Sequence, residues 1–200
     1  MRATQALENK LKREGNIIVA GIDEVGRGAL AGPIVSAVVV LPNSCRLVLK
    51  DSKLLSQEKR IKLAFEILNK SLDFGLGLVN NREIDKLGIT AAIKLCYLRT
   101  LEDLNTPISR LIIDGKYDYL SEFTLSLTTV KADKSCACVA AASIMAKVYR
   151  DEIMRSLTSY YEDYDFGNNV GYGTKKHLNA IYKNGLSDLH RKTFKLRTNA

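Results

Sequence analysis

The apolar run over residues 34–41 holds eight residues and includes a serine. It falls far short of the roughly 20 residues that cross a bilayer. Its β-branched content reads as a strand over residues 33–41. A first strand precedes it at residues 16–20, and Gly26, Arg27 and Gly28 lie between the two. Downstream, Ser56 with Gln57 and Glu58 opens an amphipathic helix to Lys70. A strand is expected over residues 74–79, then a helix over 81–104 broken near Gly88, and a short buried strand over 111–113. A further strand over 125–130 leads to a long helix over 135–160, and Thr174 caps a last helix ending near Gly185. Strands alternating with helices indicate an α/β fold. Two leading strands joined by a short turn allow an antiparallel pair within a mixed sheet.

The chain of 200 residues is long enough for one domain with its own core. It shows no internal repeat, low-complexity stretch or Pro/Gly linker. Residues 1–15 are polar and lack the apolar core of a signal peptide. The four cysteines, Cys45, Cys96, Cys136 and Cys138, form no C-x-x-C pair, and two histidines are too few to complete a zinc set. Reduced thiols in a cytoplasmic protein are the simple reading.

Charge points to a partner. The net formal charge is +8, and residues 171–200 carry seven Lys or Arg against the single acid Asp188. A basic balance favours a polyanion, and its concentration near one end reads either as a solvated basic tail or as a basic appendage, over residues 166–200 beside a larger unit over 1–165.

The acids carry the chemistry. Asp23 and Glu24 end the first strand candidate, where neighbouring side chains point to opposite faces unless a twist or bulge intervenes. Asp114 ends the strand at 111–113, and sites form at the carboxyl ends of strands in α/β sheets. Asp133 precedes the long helix and is read either as its N-cap or as a ligand. Four converging carboxylates would repel one another and lose solvation unless cations sit among them. Hard oxygen donors favour Mg²⁺ or Mn²⁺ over zinc. Two such ions about 3.5–4 Å apart can activate water and stabilise the leaving oxygen of a phosphodiester. No convincing Ser, Cys or His triad competes with this reading.

Two polar clusters have rival readings. Gly26-x-Gly28-x-x-x-Gly32 misses the dinucleotide fingerprint by one residue and leads into a strand, so cofactor binding is disfavoured. A Gly-Arg-Gly turn can instead bring backbone N–H groups and Arg27 close to a sugar-phosphate. Ser52 and Lys53 form either a capped turn or a phosphate contact.

Taken in order, these pieces resemble ribonuclease HII, the type 2 ribonuclease H. The likeness runs through residues 21–33 (GIDEVGRGALAGP), 51–55 (DSKLL), 113–115, 131–133, 141–151 (AASIMAKVYRD) and 171–177 (GYGTKKH). It implies a ribonuclease H-like fold, with a five-stranded mixed sheet flanked by helices and a small C-terminal helical appendage. It implies hydrolysis of the RNA strand of RNA–DNA hybrids. It further implies incision 5′ to a ribonucleotide embedded in duplex DNA, leaving 3′-hydroxyl and 5′-phosphate ends. Asp23, Glu24, Asp114 and Asp133 match the family's metal-binding acids. Gly26, Arg27 and Gly28 match its ribonucleotide-reading turn, and Tyr172 its stacking tyrosine. Ser52, Lys53, Lys175 and Lys176 are expected at the phosphates, and the basic appendage as a backbone clamp.

The chain departs from the common pattern at Ala29 (usually Pro), Ala132 (often Gly) and Val170 (often Lys). Asp151 reads as supporting rather than liganding, and His177 and His190 as structural or phosphate-facing. A monomer is the default. The competing functions are a hybrid-binding protein that does not cut and another two-metal nuclease of the same superfold. The first would lack an acid or the glycine turn, and neither is missing.

Overall fold

A computed structural model describes residues 3–45, 47–49 and 55–196. Ser52 and Lys53 therefore lie outside the described residues. The helices are α1 (Ala6–Arg13), α2 (Gln57–Lys70), α3 (Asn81–Leu87), α4 (Ile89–Glu102), α5 (Ala132–Ser135), α6 (Ala137–Ser156), α7 (Phe166–Asn169) and α8 (Lys175–Asn184). The strands are β1 (Val19–Val25), β2 (Ile34–Val40), β3 (Asp73–Val79), β4 (Arg110–Asp114) and β5 (Ser126–Thr129). They form one mixed sheet in the order β3-β2-β1-β4-β5. β1 and β2 pair antiparallel, as do β2 and β3, whereas β4 runs parallel to both β1 and β5. This is the mixed α/β sheet that the strand–helix alternation implied.

Every residue of β2 is buried, because helices cover both faces of the sheet. On one face Val35, Ala37 and Val39 pack with Ile112, with α6 and with Ala64 and Ile67 of α2. On the other, Ala20, Ile22, Val38, Leu111 and Ile113 pack against Ala92, Ile93, Cys96 and Tyr97 of α4. The small side chains Ala140, Ala141 and Ala142 let α6 lie close on the sheet. A third cluster joins Ala31 and Met154 to Tyr164, Phe166, Val170 and Ile181 from the C-terminal part of the chain.

Several boundaries differ from those read in the sequence. Helix α1 was not expected, since its only strong apolar positions are Leu7 and Leu11. Its Glu8 is buried and accepts from the Cys138 amide at 2.9 Å, so α1 caps the start of α6, whose own N-cap Cys136 offers no side-chain bond. β1 begins at Val19 rather than residue 16 and carries Asp23 and Glu24 within it. Its register with β2 is unbroken there (Asp23 opposite Ala37, Glu24 opposite Ser36), so no bulge brings the two acids together. The long helix ends at Ser156, and α5 stands apart before it. Asp133 is the second residue of α5 and does not cap α6.

Candidate active site

Because β1 stays regular, its two carboxylates leave opposite faces of the sheet. Asp23 emerges on the α6 face and accepts a hydrogen bond from Ser143 of that helix. Glu24 emerges on the α4 face, where the buried Tyr97 hydroxyl donates to its Oε2. Asp114, at the last position of the neighbouring parallel strand β4, accepts from the Ala132 amide at 2.7 Å. That bond ties α5, and with it the buried Asp133, to the strand end. Asp23, Glu24, Asp114 and Asp133 line a single cavity of about 450 Å³, together with Val25, Ser143, Lys147 and Tyr172. The acids therefore meet across the end of the sheet rather than on one face of it.

Electrostatics mark this cavity as short of positive charge. Burial pushes the Asp23 carboxyl well above its ordinary pKa, and the charges of Glu24 and Asp114 push it further. Burial also raises Glu24, against the opposing pull of the Tyr97 hydroxyl and of Arg27. Lys147 reaches the cavity, but its ammonium lies 2.7 Å from the buried Asp151, which also faces Arg60 and Arg155. The named lining groups offer hard oxygen donors and no sulfur or imidazole. A divalent cation suits both that donor chemistry and the excess negative charge. Among the described residues no three acid, imidazole or thiol groups stand close enough to coordinate one ion as they are.

The glycine turn closes on one side of the acids. Gly26 is buried with φ +95°, and Arg150 and the Pro33 carbonyl fill the space where a side chain would begin. Arg27 and Gly28 are exposed, and nothing lies within 4 Å of the position a Gly28 side chain would take. Gly28 opens onto a second cavity of about 730 Å³, lined by Leu30, Gly173, Leu178, Phe194 and Lys195. The Ala29 amide donates to the Gly26 carbonyl at 3.2 Å, a bond that the proline common at this position could not make. Ala132 likewise uses its amide, on Asp114, and the left-handed conformation falls on Lys131 before it.

Tyr172 lines the acid cavity, with the Arg150 guanidinium 5.3 Å and the Lys147 ammonium 5.7 Å from its ring. Its backbone carbonyl lies 2.9 Å from Nδ1 of His177, whose Nε2 lies 3.0 Å from Nε2 of His190. Both histidines are fully buried, so the phosphate-facing alternative falls away for them. Lys175 and Lys176 sit exposed on the first turn of α8 and line neither cavity; Lys176 pairs with Asp165 at 3.2 Å.

Sequence reasoning assigned no role to Ser143, Lys147, Tyr97, Arg150 or Arg191. Ser143, Lys147 and Asp151 recur every fourth residue along one face of α6, a period that puts them on one stripe. That stripe was the available signal, but only the packing of α6 on β1 shows which face it is.

Known proteins resemble this chain in sequence and in fold. A family model described as Ribonuclease HII matches residues 20–197. The Ribonuclease HII of Pediococcus pentosaceus is 42% identical over 195 residues, covering 96% of this chain and 75% of that protein. The Ribonuclease HII of a Nostoc species is 42% identical over 183 residues, covering 89% and 81%. Among solved structures, the ribonuclease H2 of Pyrococcus horikoshii superimposes with a TM-score of 0.77 at 28% identity, covering 89% of this chain and 94% of that one. A chain of the PCNA:RNase HII complex of Archaeoglobus fulgidus gives 0.76 at 28% identity, covering 92% and 98%. Bst-RNase HIII in complex with Mn²⁺ gives 0.66 at 25% identity, covering 84% and 63%.

Proposed function

The chain belongs to the ribonuclease HII family, and on that premise we propose how its residues divide the work and which substrates they select. It is a ribonuclease H, a hydrolase of the RNA strand of RNA–DNA hybrids. The reaction at its cavity depends on two divalent ions held by Asp23, Glu24, Asp114 and Asp133. Mg²⁺ and Mn²⁺ both suit these hard donors. The observation that carries this reading is the convergence of those four carboxylates, from both faces of the sheet, on one cavity. Bound there, divalent ions would lower the pKa of a water and stabilise the charge on the departing ribose oxygen.

The protein's own groups hold the frame. Ser143 and Tyr97 each donate to one carboxylate, fixing Asp23 and Glu24 on opposite sides of the cavity. The Ala132 amide donates to one oxygen of Asp114 and holds that carboxylate at the end of β4. The exposed residues Arg27 and Gly28 bring a cation and a backbone without a side chain against the sugar-phosphate. Tyr172, beside the acids, stacks on the ribose at the junction. A 2′-hydroxyl, donor and acceptor at once, distinguishes that ribose from deoxyribose. The enzyme on this reading also incises 5′ to a single ribonucleotide in duplex DNA. Exposed lysines of the C-terminal appendage hold the backbone; Lys175 contributes, and Lys176 does so once released from Asp165.

The test is a nicking assay on a duplex with one embedded ribonucleotide. Cleavage 5′ to it with Mg²⁺ or Mn²⁺, and none with EDTA, is expected. Equal cutting of an all-DNA control, or no cutting with any divalent ion, overturns the reading. Asp114→Asn keeps an acceptor for the Ala132 amide and removes the charge. It is expected to lower turnover by roughly a hundredfold or more, equivalent to a few kcal/mol of barrier, while leaving hybrid binding within about twofold.

A further inference from the structure

The segment over residues 187–194 lies outside the acid cavity, yet it bonds directly to the glycine turn and reaches Tyr172 through His177. The Gly32 amide donates to the Leu189 carbonyl at 2.9 Å, and the Arg191 amide to the Leu30 carbonyl at 2.8 Å. Arg191 then sends its own side chain under the turn. Its Nε donates to the Gly32 carbonyl at 3.0 Å, and a terminal nitrogen to the Arg27 carbonyl at 3.2 Å. One planar fork thus spans both ends of the turn. Arg150 completes the cradle from α6, donating to the carbonyls of Pro33, Ala31 and Val170 at 2.8, 3.1 and 2.8 Å.

His190 ties the same segment to Tyr172. The Ser187 amide donates to Nδ1 of His190 at 2.8 Å, so that nitrogen carries no proton and Nε2 does. Nε2–H then donates to Nε2 of His177, which leaves the His177 proton on Nδ1, where it donates to the Tyr172 carbonyl. The chain of bonds admits one arrangement of protons. At its far end the segment is moored to α3, where Asp85 accepts from the amides of Lys192 and Thr193 at 2.9 and 3.0 Å.

Stability alone does not account for Arg191. It is buried beside a second buried guanidinium, that of Arg150, and burial chiefly draws its pKa down to about 9. One of its terminal nitrogens has no partner among the described residues. A buried cation facing carbonyls, with a donor left over, is costly to a fold. What the arrangement secures is a fixed position of the glycine turn relative to Tyr172.

We propose that Arg191 and His190 are positioning residues that lock the turn at residues 26–32 and Tyr172 into one rigid reading unit, and that this unit sets the preference for single embedded ribonucleotides. The proposal rests on the reading of Gly26–Gly28 and Tyr172 as substrate-reading elements. In a uniform hybrid every register presents a 2′-hydroxyl, so a loosened reader still finds one. In a duplex with a single ribonucleotide only one register does, so the same loosening is felt in full.

Arg191→Lys keeps the charge and loses the fork. Arg191→Met loses both, and Asp85→Ala unmoors the segment from outside the core. The expected result is a fall in kcat/KM on the single-ribonucleotide duplex about tenfold larger than on the uniform hybrid for both Arg191 variants, with a smaller shift in the same direction for Asp85→Ala. Arg191→Lys should fail to rescue the ratio. A purely structural role would lower both substrates by one common factor, and that result overturns the proposal, as does an unchanged ratio. Hydrogen exchange in the free protein separates this from the reading it rests on. Faster exchange at the amides of Leu30, Ala31 and Gly32 in Asp85→Ala, with the β1–β2 amides unchanged, supports the lock, and unchanged exchange at those three amides overturns it. A wild-type enzyme that cuts the hybrid and spares the single-ribonucleotide duplex refutes the substrate reading instead, and the exchange result then decides the lock alone.

Discussion

Two glycines in one turn show how differently the same residue type can be used. Gly26 has φ +95°, and a side chain there would begin 2.3 Å from Nε of Arg150 and 2.7 Å from the Pro33 carbonyl. Gly28 has open space at the same position. Gly26→Ala is therefore expected to destabilise the protein by about 2 kcal/mol or more, adding a clash to an unfavourable backbone angle. Gly28→Ala should leave the melting temperature unchanged or slightly raised, since it costs the fold nothing and restricts the unfolded chain. It should nonetheless raise KM for the hybrid, because its methyl group projects where a sugar-phosphate would approach. Thermal melts and steady-state kinetics on the two variants check this contrast, and equal loss of stability in both would contradict it. The sequence displayed both glycines and all four acids openly. It concealed Arg150 and Arg191, whose partners are backbone carbonyls up to 164 positions away and leave no local pattern.

Among elements, legibility followed the strength of the apolar period. Strand β2, with seven buried residues, and helices α2 and α8, with side-chain caps at Ser56 and Thr174, were readable to within a residue or two. Helix α1, polar but for two leucines, was not. The acids of β1 were expected to need a bulge, because a strand read alone has two faces and no end. Placing β1 centrally, with β4 parallel beside it, gives a shared edge where both faces open onto one cavity. The contact between α8 and the segment after it carries a pH dependence. Burial, helped by the neighbouring His177, lowers the pKa of His190 from its ordinary value of 6.5 to about 4, and burial lowers His177 as well. Between those two pH values the unfolded chain binds protons that the folded chain refuses. The stability contributed by the neutral pair is complete above pH 6.5 and is lost as pH falls toward 4. These are the only two histidines in the sequence, so imidazole NMR titration should find His190 neutral at pH 5.5 and His177 titrating below its ordinary value. Urea unfolding midpoints should decline over the same interval, and a histidine titrating at its ordinary value would refute the assignment.

For the whole molecule, the basic surplus divides between surface and interior. No helix among the described residues is long and apolar enough to cross a membrane. Lys175, Lys183 and Lys195 are exposed, whereas Arg191 is buried. Truncation after residue 170 would strip Ile181, His190 and Arg191 from buried positions as well as removing charge, so substitution is the cleaner probe. Replacing the three exposed lysines with glutamine should weaken hybrid binding and flatten its dependence on salt. Each lost phosphate contact should reduce the log–log slope by about 0.9. An unchanged slope would leave these lysines as ordinary solvated charge. The lacing of Arg191 to the glycine turn has a consequence for synthesis. Its two side-chain bonds to the turn span 159 and 164 positions, and contacts so distant form late. A growing polypeptide, made N-terminus first, holds all four carboxylates by Asp133 and cannot align the turn proposed to choose their target until Arg191 has emerged. On that proposal, competence to select a substrate arrives only with Arg191, and a chain cut short before it would keep the acids without the means to aim them.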